Sequence, residues 1–416
     1  MPRQNKAPSE QLTAHLFREN SGKMVAVLSK IYGIHHLDLI LDAVQDTFET
    51  ALSQWRFSGV PENPPAWLMR VARNKALNAI QRAGKTTPLL SCEDQKYPEW
   101  QKDPDLNAVT DSQLQLLLAC CQPELSVRNQ IIITLYTLCG FGVPEIANGL
   151  LMHTEAVKKA LTRSKSALKS NPDIFRQQPH HKLSQHLDTV QTILYLLFNE
   201  GYKSTRSDQG INKDLCYEAI RLMRIVQDYA PFDTASRALL ALMFFNISRF
   251  PARITSDEWL SLEEQERNLW DATFIREGFI YLKQASSGPI LSRFHIEAMI
   301  ASIHCTAPEF EQTDWEKIVQ LYKMLESTHP ESFSIKINRI IAESYLSPPD
   351  PLIRELLRLE TNTGTAYHFQ LLTTLGHLYK KADFLTDAVI AYTRSLEYAQ
   401  SAMDQAFIKK MISQCT

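Results

Sequence analysis

The stretch VPEIANGLLMHTEAVKKALTRSKSALK, residues 143–169, decides the fold. Pro144 suits the opening of a helix, where its missing N–H would have had no partner. Glu145-Ile146-Ala147 and Leu150-Leu151 then continue a helical period. A turn follows at Met152-His153, and Thr154 has the side chain of an N-cap. In the next helix Val157, Leu161 and Leu168 share one face, while Lys158, Lys159, Arg163, Lys165 and Lys169 lie mainly on the others. Small Ala147 lets the two helices cross closely. The spacing therefore predicts a helix-turn-helix whose second helix enters a major groove. Its basic side chains would hold phosphates, and polar residues near its start would read bases. The alternative for this stretch alone is a helical hairpin with a solvated basic face.

Working outward, the rest of the chain is also helix-periodic. Its 416 residues suit two to four domains. Only 13 of them are Gly, too few for a turn-rich strand fold or Gly-rich phosphate loops, so an all-α fold is expected throughout. Residues 10–85 read as one small helical domain and 112–170 as a second. The span 86–111 between them carries Glu93, Asp94, Glu99, Asp103, Asp105 and Asp111 against Lys96 and Lys102, and reads as an acidic linker. From 183 to 416, helical segments alternate with short breaks, as in an array of helix pairs. Near its end Leu375-Gly376, Tyr379, Ala388, Tyr392 and Ser395-Leu396 match the small-residue and aromatic positions of a tetratricopeptide-like pair.

Two helices in the first domain carry opposite charge. In LDLILDAVQDTFETALSQW (37–55), Asp38, Asp42, Asp46 and Glu49 step by three or four along one face, which suits a basic protein surface and repels DNA. In AWLMRVARNKALNAIQRAGK (66–85), Arg70, Arg73, Lys75, Arg82 and Lys85 stand without an acid. The preceding Pro-stiffened loop 56–65 lies between Trp55 and Trp67. Charge for the backbone beside rings for unstacked bases suits melted or single-stranded DNA.

The net charge of −2 confines any nucleic-acid surface to local patches. No apolar run reaches the length of a membrane span, and the opening MPRQNKAPSEQ lacks the apolar core of a secretory signal, so a cytoplasmic location is expected. Seven Cys are too few for a disulfide framework. His180, His181 and His186 cluster without an H-E-x-x-H or C-x-x-C, so neither a metal nor any other cofactor is expected. No nucleophile elbow, P-loop or dinucleotide fingerprint appears, which argues against an enzyme.

Taken in order, D-A-V-Q-D-x-F (Asp42 to Phe48), W-L-x-x-V-A-R-N-K-A-L (Trp67 to Leu77), the acidic linker and E-I-A…V-K-x-x-L-x-R (Glu145 to Arg163) resemble bacterial RNA polymerase sigma factors of the extracytoplasmic-function group. LLLACCQPELS (116–126), LYLLFNEGY (194–202) and LCYEAIRL (215–222) are similar to a subgroup with a long tetratricopeptide-like C-terminal extension. The resemblance implies region 2 over 10–85 and region 4 over 112–170. It implies polymerase core, through its β′ clamp and β flap, and promoter DNA as partners. Asp38, Asp42, Gln45, Asp46, Phe48 and Glu49 would face the clamp. Trp67, Arg70, Arg73, Asn74, Lys75 and Arg82 would hold the −10 element. Thr154, Glu155, Lys158, Lys159, Thr162, Arg163 and Lys165 would read the −35 element. The extension would regulate these domains or bind a protein or peptide. Asn78, Ala160 and Ser164 depart from the pattern, since Asp, Arg and Ala are common there. The competing expectation is a helix-turn-helix regulator with a signal-binding solenoid that never touches the polymerase; the acidic helix 37–55 discriminates, because such a regulator has no use for it.

Overall fold

The computed structural model describes residues 8–86, 106–150, 152–170, 179–202, 211–253, 260–288, 290–360, 367–399 and 402–415. Among them every regular element is a helix, as the low Gly count and the helical periods predict. The chain divides into two compact units, Met1–Leu197 with Asp228–Ala230, and Phe198–Gln227 with Pro231–Thr416.

The first unit opens with α1 (Pro8–Tyr32), α2 (Leu37–Ser58) and α3 (Pro64–Thr86). Leu37, Ile40, Val44, Phe48, Ala51 and Trp55 recur at three and four residues and form the buried stripe of α2. Gly59 ends that helix at φ +79°, a conformation in which a Cβ would be strained, and its N–H returns to the Trp55 carbonyl. The Asn63 side chain then accepts the Ala66 N–H, and Pro64 and Pro65 occupy the first turn of α3, where their missing N–H groups cost nothing.

Next come α4 (Leu106–Cys120), α5 (Val127–Thr137), α6 (Val143–Gly149) and α7 (Thr154–Ser170). Helix α4 begins inside the span read as linker; the remainder of that span, 87–105, lies outside the described residues. From Ser112 to Cys121 every side chain is buried, so polar Gln113 and Gln115 are carried into the core with Leu114, Leu116, Leu117 and Leu118. The adjacent Cys120 and Cys121 are buried free thiols. Burial pushes the Cys120 thiol up to about 11, despite contacts with Thr137 and Thr134. Ser126 caps α5 by accepting the Asn129 N–H.

Helix α8 (Pro179–Tyr202) runs to the start of the second unit. That unit continues through α9 (Lys213–Tyr229), α10 (Thr234–Ser248) and the short α11 (Phe250–Arg253). It proceeds to α12 (Ala272–Ala285), α13 (Arg293–Thr306), α14 (Trp315–Thr328) and α15 (Phe333–Glu343). It closes with α16 (Pro349–Glu360), α17 (His368–Lys381), α18 (Leu385–Leu396) and α19 (Ala402–Ser413). Asp233, Asp271 and Asp314 cap α10, α12 and α14 through side chains that accept first-turn N–H groups. Pro349 and Pro351 sit in the first turn of α16 rather than ending a helix.

In the last helix pair, a Cβ on Gly376 would lie 2.7 Å from the Tyr392 ring. Gly376 therefore lets α17 approach α18 across a buried aromatic, and Ala388 and Tyr392 are buried beside it. Arg339 on α15 gathers three carboxylates from successive helices. Its Nε lies 2.6 Å from Glu326, its Nη1 2.6 Å from Glu343, and its Nη2 on Glu355.

Candidate polymerase and nucleic-acid interfaces

Helix α2 shows two different faces. Phe48 is in the core, edge-to-face with Phe17 at 4.8 Å between ring centres. The expectation that Phe48 meets the polymerase is therefore corrected: it supports the surface from beneath, because the apolar period of α2 turns it inward. Asp42, Gln45, Asp46 and Glu49 are exposed on the other face. The Gln45 amide donates to Glu49 at 3.3 Å, leaving the row acidic. Asp38 differs from its neighbours. It pairs with Lys165 at 3.2 Å and with Lys169, both on α7. Partial burial pushes its carboxyl up, but the hydrogen bonds and charges of Lys169 and Lys165 outweigh that and hold it below the usual carboxylate range.

Helix α3 lies against α2 with Leu68, Ala72 and Ala76 buried. Arg70, Asn74 and Arg82 are exposed, and Arg73 is half-buried. Lys75 is not a free cation. Its ammonium donates to the Asp46 carbonyl at 2.9 Å and the Thr50 hydroxyl at 2.8 Å, so it ties α3 to α2. Trp67 is half-buried against Trp55, with ring centres 5.4 Å apart. The residue that the sequence reading passed over is Phe57, 88% exposed at the mouth of the 56–65 loop. With Ser53, Gln54 and Ser58 it lines an open depression. The signal was available: Phe57 falls outside the apolar period that ends at Trp55.

Helices α6 and α7 occupy the stretch read as a helix-turn-helix. The Glu145 carboxylate accepts the Gly142 N–H at 2.7 Å and so fastens the start of α6. Ile146, Ala147 and Leu150 are buried, as are Val157, Leu161 and Leu168 on α7, and the two helices touch. Thr154 is the first residue of α7 rather than its N-cap, because the His153 carbonyl already accepts from Val157. Thr154, Glu155, Lys158, Lys159, Thr162 and Arg163 are all exposed. Lys158 meets Glu155 at 2.8 Å, and the Thr162 hydroxyl donates to the Lys158 carbonyl. The departures Ala160 and Ser164 lie on the buried face of α7. Lys165 also departs from its expected role here, since it lies over the Tyr136 ring at 4.6 Å as well as against Asp38.

No described helix is long and apolar enough to cross a membrane. Among the described residues no group of three or more His, Cys, Asp or Glu could hold a metal ion. The helices α1 to α3 coincide with a match to sigma-70 region 2 over residues 16–86. That match supports a sigma-factor role in transcription initiation and implies RNA polymerase core and promoter DNA as partners. Residues 186–286 match a family of unknown function, DUF6596. Over 384 residues the chain is 31% identical to "Uncharacterized protein R00370" of Rhizobium meliloti (strain 1021), covering 91% of this chain and 90% of that protein, and it belongs to that protein's family. No solved structure matches it.

Proposed function

We propose that the chain is a sigma factor of the extracytoplasmic-function group that works in the cytoplasm. The exposed acidic row Asp42, Gln45, Asp46 and Glu49 binds the basic clamp coiled coil of the β′ subunit, and region 4 meets the β flap. Arg70, Arg73, Asn74 and Arg82 hold the backbone of the melted −10 strand. Trp67 and Phe57 offer rings to its bases. The exposed face of α7, from Thr154 to Arg163, reads the −35 element. The observation that carries this reading is a region 2 match lying on a helix pair with one exposed acidic face and one exposed basic face.

The residues from 183 onward act as a tetratricopeptide-like extension that regulates the promoter-binding domains or takes a protein or peptide partner. Close helix pairing at Gly376 and Tyr392 supports such an array. Transcription by core polymerase from a library of −35/−10 promoters tests the proposal. Selection of a shared pair of elements supports it; transcripts no different from core alone refute it.

A further inference from the structure

Two arginines of the second unit are held against one buried tryptophan. Arg249 follows the last residue of α10, and Arg267 opens a short turn, Arg267–Leu269, just before α12. The Arg249 guanidinium lies 5.3 Å from the centre of the Trp270 ring and that of Arg267 lies 4.4 Å from it. The loop that carries Arg267 and Trp270 is tied down along its length. The Gln265 amide donates to the Leu260 carbonyl at 3.1 Å, and its oxygen accepts from Arg249 Nε at 3.2 Å. Glu264 accepts from the N–H and the hydroxyl of Ser261 and lies 2.8 Å from Lys410 on α19. The Asp271 N–H donates to the Ser248 carbonyl at 2.8 Å. Arg267 itself is oriented by donating through Nη1 to the His304 carbonyl on α13.

That anchoring uses one side of the guanidinium. Its Nε and Nη2, which form the fork that meets two oxygens of one anion, are buried and have no hydrogen-bond partner. Trp270 is only 5% exposed, and its indole N–H also lacks a partner, as does Nδ1 of His304. Buried donors are nearly always satisfied, so a group of them in one place calls for an acceptor. Among the described residues no carboxylate forms an ion pair with Arg249 or Arg267; exposed Glu311 acts on Arg267 through its charge alone. Burial and the neighbouring Arg249 lower the Arg267 guanidinium from its ordinary value. Burial with Arg249 and Arg267 lowers the His304 imidazole to about 3, so it stands neutral beside them. Two positive charges thus share a place that tolerates no third.

From this geometry we infer that Arg249, Arg267, Trp270 and His304 form an anion site for a phosphate group, either the free ion or a monoester of a small molecule. The Arg267 fork takes two oxygens, and Arg249 supplies the second charge. Trp270 and the neutral imidazole offer hydrogen bonds that add no charge. Two guanidiniums match a phosphate group, close to dianionic at neutral pH, better than a single carboxylate. Because the loop is anchored independently of the ligand, little ordering is needed on binding. The site is separate from the polymerase and promoter surfaces and does not depend on that reading.

Isothermal titration calorimetry of the full chain at constant ionic strength tests the site, with inorganic phosphate, phenyl phosphate and acetate as titrants in a chloride background. A phosphate titrant should bind saturably at one per chain and raise the unfolding temperature. Arg267→Gln should weaken binding about ten- to a hundredfold, as expected for hydrogen bonds to a charged group. Arg249→Gln should also weaken it, whereas Arg276→Gln, exposed on α12, should not. Tighter binding of phenyl phosphate assigns the group to a monoester and tighter binding of inorganic phosphate assigns it to the free ion; both support the site. If Arg267→Gln does not fold, Arg249→Gln and the unaltered chain decide. Absence of saturable binding by either phosphate titrant, acetate binding as tightly as phosphate, or phosphate affinity unchanged in the folded arginine variants overturns the inference and leaves the functional reading intact.

Discussion

Replacing Lys159 and Arg163 together by Ala should change how −35 binding responds to salt. The two residues are one helical turn apart on the exposed side of α7. Lys165 and Lys169 are engaged by Asp38, and Lys158 is partly offset by Glu155, so Lys159 and Arg163 are the prominent free charges on that surface. Each phosphate contact contributes about 0.9 to the slope of log affinity against log salt, so losing two should flatten it by about 1.8. Between 50 and 200 mM salt, affinity of the unaltered chain should then fall about tenfold more than that of the variant. Fluorescence anisotropy of a −35 duplex titrated at four or five salt concentrations measures this directly. Weaker binding with an unchanged slope would show that neither side chain touches the backbone and would refute the placement of DNA on this face.

Arg339→Ala should destabilise the second unit by about 3–5 kcal/mol in urea unfolding, because it leaves the carboxylates of Glu326, Glu343 and Glu355 gathered without their cation; a loss below 1 kcal/mol would show the hub to be dispensable. Stability should also fall on acidification. Burial, with nearby Arg249 and Arg267, lowers His304 to about 3, and burial with Lys381 and Lys380 lowers His377 to about 4. Unfolded imidazoles take up protons near 6.5, so the unfolded state binds more protons below that pH, and each histidine costs up to about 1.4 kcal/mol per pH unit as pH drops toward its folded value. His377→Gln should be less steep between pH 6.5 and 4.5 by about one proton; an unaltered slope would contradict the burial argument. A chain ending at Ser170 should lose promoter-directed transcription while keeping its helical signal, if the extension has a required positive role. Undiminished activity would remove that role.

Fold class was legible because the deciding signals are local. The apolar stripe of α2, the Pro144 and Glu145 start of α6, and the small residues at 376 and 388 each act through their own helix or its immediate neighbour. The start of α4 was not legible, because Asp103, Asp105 and Asp111 give its approach the composition of a linker while burial by α1 and α5 holds the helix together. Residue roles followed the same division. Asp42, Asp46, Lys159 and Arg163 are exposed on the expected surfaces. Phe48, Lys75 and Lys165 carry the right chemistry for a partner but are committed within the chain. No local pattern announces that Lys75 reaches the Asp46 carbonyl or that Lys165 reaches Asp38, since both contacts depend on how separate helices pack. Phe57 shows the converse: its exposure follows from falling just past the end of a helical period.

Equilibrium binding of the full chain to purified RNA polymerase core, with Asp42→Lys/Asp46→Lys as the comparison, is the most direct measurement. The account predicts a stable one-to-one complex. Reversing both charges should weaken it by about 1–3 kcal/mol, since each exposed charge pair is individually modest, while binding of the −35 duplex is unchanged. A chain that binds the duplex but forms no complex with core, or a double reversal that binds core as tightly as the unaltered chain, would contradict it.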